Sequence, residues 1–137
     1  MEIETLYKKT SYISKKRSPD SSGFTYDLPS LINNMKHTPA WENGELNAMI
    51  LLRSPGKKIV LTAMHERTEV TSFQSGDSIT FQIIEGKMKF QTRKETVILH
   101  KGQLLTLHDN IKFSLITLEE SVFLLTILTG SLKSVKN

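Results

Sequence analysis

The stretch SGDSITFQIIEGKMKF, from Ser75 to Phe90, decides the fold class of this chain. Apolar and polar side chains alternate before and after Gly86, and a period of two is typical of β-strands that bury one face. Glycine adopts positive φ angles without strain, so Gly86 suits a tight turn between two strands. The stretch therefore predicts two strands joined by a Glu-Gly turn. The predicted buried face of the first strand comprises Ile79, Phe81 and Ile83.

Similar segments continue along residues 47 to 128. Short apolar runs such as NAMILLR, KIVLTAM and SVFLLTIL are separated by Gly, Pro, Asp-Asn or Glu-Glu, and no helical pattern interrupts them. Many short strands at this spacing indicate an all-β sandwich or barrel. The last run has hardly a polar residue, which predicts a strand that is covered on both faces.

A short helix is predicted before the strands, because one apolar stripe there has the helical spacing i, i+3, i+4 and i+7. The stripe consists of Leu28, Leu31, Ile32 and Met35. Pro39 should end this helix, and we expect its apolar face to pack on the barrel or on a partner subunit. The predicted organisation is an N-terminal extension over residues 1–45, a barrel over residues 46–130 and a tail over residues 131–137.

Composition excludes several classes of protein. The 137 residues suit one domain, and the absence of cysteine excludes disulfides, thiolate zinc sites and cysteine nucleophiles. The net charge of +4 comes from scattered basic residues, so we expect no nucleic-acid partner. No apolar run approaches the roughly 20 residues of a membrane span or forms a signal peptide. We therefore expect a cytoplasmic protein with no membrane partner.

The order of strands and glycines resembles the cupin superfamily of small double-stranded β-helix barrels. The first cupin motif ends in a strand and a glycine, as ITFQIIEG does at Gly86, and the second begins with a glycine, here Gly102. Fifteen positions, residues 87 to 101, separate these glycines. That spacing resembles the one in small single-domain bacterial cupins without a settled function. The resemblance covers about residues 39 to 130 and implies an all-β jelly-roll barrel.

The chain departs from the metal-binding cupins, which use two histidines and a glutamate from the first motif and one histidine from the second. The resemblance places Ile79 at the glutamate position and Phe113 at the second-motif histidine. The histidine pair would fall near Phe73 and Ser75. Phenylalanine and isoleucine have no atom that binds a divalent cation. We therefore expect no metal at this position and no cofactor.

The same substitutions give the barrel interior an apolar lining. Such an interior either packs shut as core or holds a small apolar or sugar-like ligand that a few polar groups orient. The packed core is the simpler interpretation. The residues predicted to line this space are Phe73, Ser75, Ile79, Phe81, His108, Phe113 and Leu115.

Two histidines offer a catalytic alternative. His65 begins the segment HERTE before the first motif, and His108 lies at the predicted mouth of the barrel. If their strand ends lie close together, the two side chains would form an acid–base pair at the opening. The simpler interpretation is that both are turn residues that face water. Metal-free deoxysugar epimerases of the superfamily use a tyrosine inside the barrel, whereas all three tyrosines of this chain precede residue 27.

These observations predict a metal-free cupin that binds a small molecule or acts as a regulatory module, and that forms a homodimer. The first alternative is a metal-independent enzyme with isomerase- or epimerase-like acid–base chemistry at His65 and His108. The second is a protein-interaction module that uses the basic N-terminal segment.

Overall fold

The structure is a computed structural model that describes residues 23–71, 78–107 and 111–129, and the backbone of residues 11–12. Within these ranges the chain forms two short helices and ten strands. The helices are α1 (Leu28–Met35) and α2 (Pro39–Asn43). The strands are β1 (Ser11–Tyr12), β2 (Leu46–Ser54), β3 (Lys57–Met64), β4 (Glu69–Thr71), β5 (Ser78–Glu85), β6 (Lys87–Gln91), β7 (Thr96–His100), β8 (Leu104–Leu107), β9 (Ser114–Thr117) and β10 (Ser121–Leu128).

Two sheets form the barrel. The larger sheet has the strand order β1-β2-β3-β10-β5-β8, and the smaller sheet has the order β4-β9-β6-β7. All pairs of neighbouring strands are antiparallel except β1 and β2, which are parallel. The predicted all-β fold with a short N-terminal helix is therefore confirmed.

Gly86 does not close a hairpin, because the two strands that it joins lie in different sheets. β5 pairs with β10 and β8, whereas β6 pairs with β7 and β9. Gly86 has a φ angle of 92°, and a Cβ atom there would overlap the hydroxyl of Ser121 and the carbonyl oxygen of Glu120. The turn forms a corner between the two sheets. It requires glycine because its φ angle is positive and because a side chain there would overlap neighbouring atoms.

Inward-facing side chains from both sheets form one continuous core. As the period-two pattern predicted, Ile79, Phe81 and Ile83 are buried in it, and Phe113 and Leu115 join them. Strand β10 lies between β3 and β5 in the larger sheet. Its side chains are buried on both faces of that sheet, as predicted for the least polar strand of the chain.

The helices cover the outer face of the larger sheet. Ile32 and Met35 of α1 form a second buried cluster with Trp41 of α2 and with outward-facing residues of the sheet such as Leu61 and Val122. The apolar stripe of α1 therefore packs on the barrel of its own chain. Neither helix is long and apolar enough to cross a bilayer, a statement that applies to the described residues.

Helix α2 is an addition to the single helix that the sequence predicted. Thr38 caps this helix, because its side-chain oxygen accepts a hydrogen bond from the backbone N–H of Trp41 at 3.2 Å. Pro39 ends α1 as predicted but also begins α2, where its fixed φ angle suits the first helical position.

Candidate functional site

The interior of the barrel is filled by phenylalanine rings. The Phe113 ring stacks on Phe90 with centroids 5.0 Å apart and meets the edge of Phe81 at 5.6 Å. Phe81 also contacts Phe123, with centroids 5.5 Å apart. All four side chains are almost completely buried. Aromatic pairs at these separations attract each other beyond the burial of their area, so this part of the interior is packed core rather than open cavity.

The residues at the expected metal-ligand positions do not fit a metal. Ile79 and Phe113 are buried in the core and have no donor atom. Phe73 and Ser75 lie outside the described residues, as does His108. In the part of the chain that the structure describes, no three His, Asp or Glu side chains lie close enough to hold an ion.

One polar side chain inside the barrel has no partner among the described residues. Thr62 is fully buried on β3, and its hydroxyl makes no hydrogen bond there. Its neighbours across the sheet are Ala48 and Phe123, both of which are apolar. A buried hydroxyl in these surroundings costs stability instead of contributing to it.

His65 is held by Trp41 on the outside of the barrel. The two rings stack with centroids 3.6 Å apart and planes inclined by 22°. The Nε2 atom of His65 lies 2.7 Å from the backbone carbonyl oxygen of Trp41. A carbonyl oxygen can only accept a hydrogen bond, so Nε2 carries the proton. Through these two contacts, His65 connects α2 to the end of β3.

The register of the larger sheet separates the two ends of the barrel. Met64, the last residue of β3, pairs with Ser121 at the start of β10. Near the other end of β10, Ile127 lies level with Leu107, the last residue of β8, with β5 between them. Six residue steps along β10 separate Ser121 from Ile127, which is about 20 Å for an extended strand.

The predicted acid–base pair required the end of β3 and the end of β8 to lie close together. His65 follows Met64 at one end, and His108 follows Leu107 at the other end. His108 itself lies outside the described residues. The two strand ends are not close together, so the condition on which the catalytic alternative depended is not met.

A cleft lies at the Leu107 end, which we call the mouth. β7 and β8 are the edge strands of the two sheets, and the turn from His100 to Gln103 connects them at the opposite end. The cleft has a volume of about 440 Å³, within the roughly 300–1,000 Å³ of small-molecule sites. The apolar residues of its lining are Phe90, Val97, Leu105, Leu107 and Ile111.

The rest of the lining is polar, and three of its six residues are cationic. It consists of Thr92, Arg93, Lys94, Glu95, Thr106 and Lys112. The side-chain oxygen of Thr92 accepts hydrogen bonds from the backbone N–H groups of Lys94 and Glu95, at 3.2 and 3.3 Å. These bonds fix the turn between β6 and β7 that carries Arg93 and Lys94. The cationic side chains therefore extend from an ordered backbone.

Sequence reasoning missed this cleft. The segment TRKE shows two adjacent cations in a turn between strands, which is a common surface feature. Nothing in the sequence indicated that β8 and the segment before β9 would face that turn, since the meeting of two sheet edges is a property of the assembled barrel.

Comparison with solved structures identifies the fold as that of the cupins. A conserved protein of unknown function from Streptococcus pyogenes matches with a TM-score of 0.62 and 17% identity, over 88% of this chain and 96% of that one. The cupin domain of Schizosaccharomyces pombe Cnp3 matches with a TM-score of 0.60 and 17% identity, over 65% and 68% of the two chains. No protein-family model and no curated protein matches this sequence.

An enzyme also shares this architecture. Salicylate 1,2-dioxygenase from Pseudoaminobacter salicylatoxidans, solved as a mutant, matches with a TM-score of 0.67 and 14% identity, over 80% of this chain and 37% of that one. The expected cupin fold is thus confirmed. At these identities the similarity defines the fold, and function has to be argued from the site.

Proposed function

We propose that this chain is a small-molecule-binding module and that its ligand occupies the mouth cleft. The observation that carries the proposal is the contrast between a barrel interior filled by phenylalanine and an adjoining cleft of about 440 Å³. Part of the cleft's apolar lining is the margin of the core, since Val97, Leu105 and Leu107 are half-buried and pack against it. A ligand there would cover apolar surface that otherwise meets water.

Binding is better supported than acid–base catalysis. No histidine is among the described residues that line the cleft, and Glu95 is the one carboxylate there. His65 belongs to the opposite end of the barrel, where its ring and Nε2 atom are engaged by Trp41. A paired general acid and base, which isomerase- or epimerase-like chemistry needs, is therefore absent from the described lining.

The proposal is tested with a neutral apolar dye, N-phenyl-1-naphthylamine, whose fluorescence rises when it leaves water. Val97→Trp fills the cleft, because Val97 lines it from β7. The matched control is Ile98→Trp, because the adjacent side chain lies on the opposite face of β7 and is 39% exposed. We expect the wild-type protein and the Ile98 variant to bind the dye, and the Val97 variant to bind it at least about tenfold more weakly.

Thermal unfolding of both variants confirms that each is folded during the titration. Equal dye binding by a folded Val97→Trp variant and by the wild type would disprove the cleft as the site. Absence of dye binding to the wild type would also contradict the proposal.

The homodimer and the cytoplasmic location stay predictions from the sequence. The apolar stripe of α1, which was one reason to expect a dimer, is buried on its own barrel, so a dimer would need another surface. The basic N-terminal segment of the interaction-module alternative precedes Gly23, outside the ranges with described side chains.

A further inference from the structure

We infer that the ligand of the mouth cleft is a small organic anion: a compact apolar body that carries one anionic group. This inference rests on the proposed function and adds a chemical class to it. It follows from the composition of the lining, which combines apolar residues with three cations.

The charges at the cleft favour an anion. Arg93, Lys94 and Lys112 contribute three cations, and Glu95 contributes one carboxylate. None of the ion pairs found among the described residues involves the three cations. Arginine and lysine without a carboxylate partner can donate charge-assisted hydrogen bonds to a bound anion.

The arrangement of the cations also suits a single anionic group. Arg93 and Lys94 lie in the turn between β6 and β7, and Lys112 lies in the segment before β9. Two separate segments thus contribute cations to the lining that also contains apolar residues of β7 and β8. A guanidinium group recognises a planar carboxylate with two parallel hydrogen bonds. An apolar body with one charged end can contact both the apolar and the cationic residues of this lining.

Two dyes with the same ring system test the inference. 8-Anilinonaphthalene-1-sulfonate has an anionic sulfonate, and N-phenyl-1-naphthylamine lacks it. We expect the anionic dye to bind at least about fivefold more tightly at low salt, with this advantage falling as ionic strength rises. The affinity for the neutral dye should change little with salt, because no charge is involved.

Charge variants connect this preference to the cleft. Arg93→Gln combined with Lys112→Gln should remove most of the preference for the anionic dye, measured as the ratio of the affinities for the two dyes. The matched control, Lys89→Gln combined with Lys101→Gln, removes the same charge from exposed residues that do not line the cleft. We expect this control to keep the preference. Glu95→Gln should increase it by about twofold, a gain that a damaged protein would not show.

Competition with phenylacetate, phenyl phosphate and the neutral phenylacetamide identifies the anionic group. Displacement of the anionic dye by either anion, but not by the amide, supports the inference, and the stronger competitor distinguishes a carboxylate from a phosphate. Equal binding of the two dyes, with the neutral dye still dependent on Val97, would overturn the organic anion and leave the proposed function intact. Failure of both dyes to bind would overturn both.

Discussion

The two ends of the barrel differ in how their chain segments are held. At the end that contains the Gly86 corner, which we call the Gly86 end, buried side chains bond to the backbone of neighbouring segments. Thr117 donates to the carbonyl oxygen of His65 at 2.6 Å and accepts from the backbone N–H of Thr68 at 2.9 Å. Ser121 accepts from the backbone N–H of Lys87 at 3.1 Å. At the mouth, the cleft is lined by apolar side chains and exposed cations.

This difference implies that stability and ligand binding depend on different ends of the barrel. A buried hydroxyl that satisfies two backbone groups cannot be changed without leaving one of them unpaired in the interior. Exposed lysines and arginines at a cleft can be changed at little cost to folding, because they are solvated in both states. We therefore expect substitutions at the Gly86 end to change the free energy of unfolding, and substitutions at the mouth to change ligand affinity.

The largest effect is expected at the corner itself. Gly86→Ala should reduce the free energy of unfolding by at least about 3 kcal/mol, because the new Cβ would overlap the Ser121 hydroxyl and the Glu120 carbonyl oxygen. The control is Gly102→Ala, because Gly102 has a similar φ angle of 88° and open space around the position of the added atom. It should cost about 1 kcal/mol. Urea unfolding measures both, and equal losses would show that steric overlap is unimportant at Gly86.

Two fully buried threonines provide the next comparison. Thr117→Val should cost about 2 kcal/mol, because it removes the acceptor of the Thr68 N–H and the donor to the His65 carbonyl. Thr62→Val changes the same atoms at a site without a hydrogen-bond partner among the described residues. It should be neutral or stabilise by up to about 1 kcal/mol. A loss at Thr62 as large as that at Thr117 would contradict this interpretation and indicate a buried water.

Substitution of Lys36 should have a smaller effect on the free energy of unfolding, and this effect should depend on pH. Its ammonium group lies 2.8 Å from Glu120 and 3.1 Å from Glu85, so it joins α1 to the Gly86 end. Burial acts to lower the pKa of Lys36, but the hydrogen bonds and charges of Glu120 and Glu85 outweigh it and raise the pKa above 10.5. The carboxylates are about half exposed, so Lys36→Met should cost about 1 kcal/mol or less.

The sign of the pKa shift fixes the pH range of this effect. A raised pKa in the folded state contributes stability that is present below the unfolded pKa and is lost as the pH rises through the folded pKa. The difference in unfolding free energy between wild type and Lys36→Met should therefore be constant from pH 7 to about pH 9.5 and decline as the pH rises beyond about 10.5 through the folded pKa. Lys87→Met is the control, because its pair with Glu119 at 3.8 Å is longer and more exposed. If the difference between wild type and Lys36→Met increased with pH, the raised pKa of Lys36 would be contradicted.

The smallest effect is expected at Arg67. This residue has a φ angle of 65°, which is unfavourable for a side chain, and its backbone N–H donates to the Thr117 carbonyl oxygen at 2.8 Å. Arg67→Gly should stabilise the protein by up to about 1 kcal/mol, partly offset by the greater freedom of glycine in the unfolded state. Arg67→Ala is the control, since it removes the exposed side chain and keeps the strain. An equal gain from alanine would show that φ is not the cause. Thermal unfolding measures both.

Local sequence patterns predicted the strands, helix α1 and the loss of the metal ligands. Period-two alternation predicted the strands and the inward direction of Ile79, Phe81 and Ile83, because a strand that buries one face must alternate. The spacing of Ile32 and Met35 predicted α1 for the corresponding helical reason. The replacement of expected metal ligands by apolar residues is likewise visible in the sequence, because chemistry alone prevents these side chains from binding a cation.

Tertiary structure decided where these elements meet. The strands on either side of Gly86 are adjacent in sequence but lie in different sheets, and strand pairing depends on long-range contacts that alternation does not encode. Pairing also set His65 and Leu107 at opposite ends of the barrel. It brought the Arg93 turn against β8 to form the cleft. The sequence by itself thus determined which faces are buried, whereas the joining of distant segments determined which residues can share a ligand.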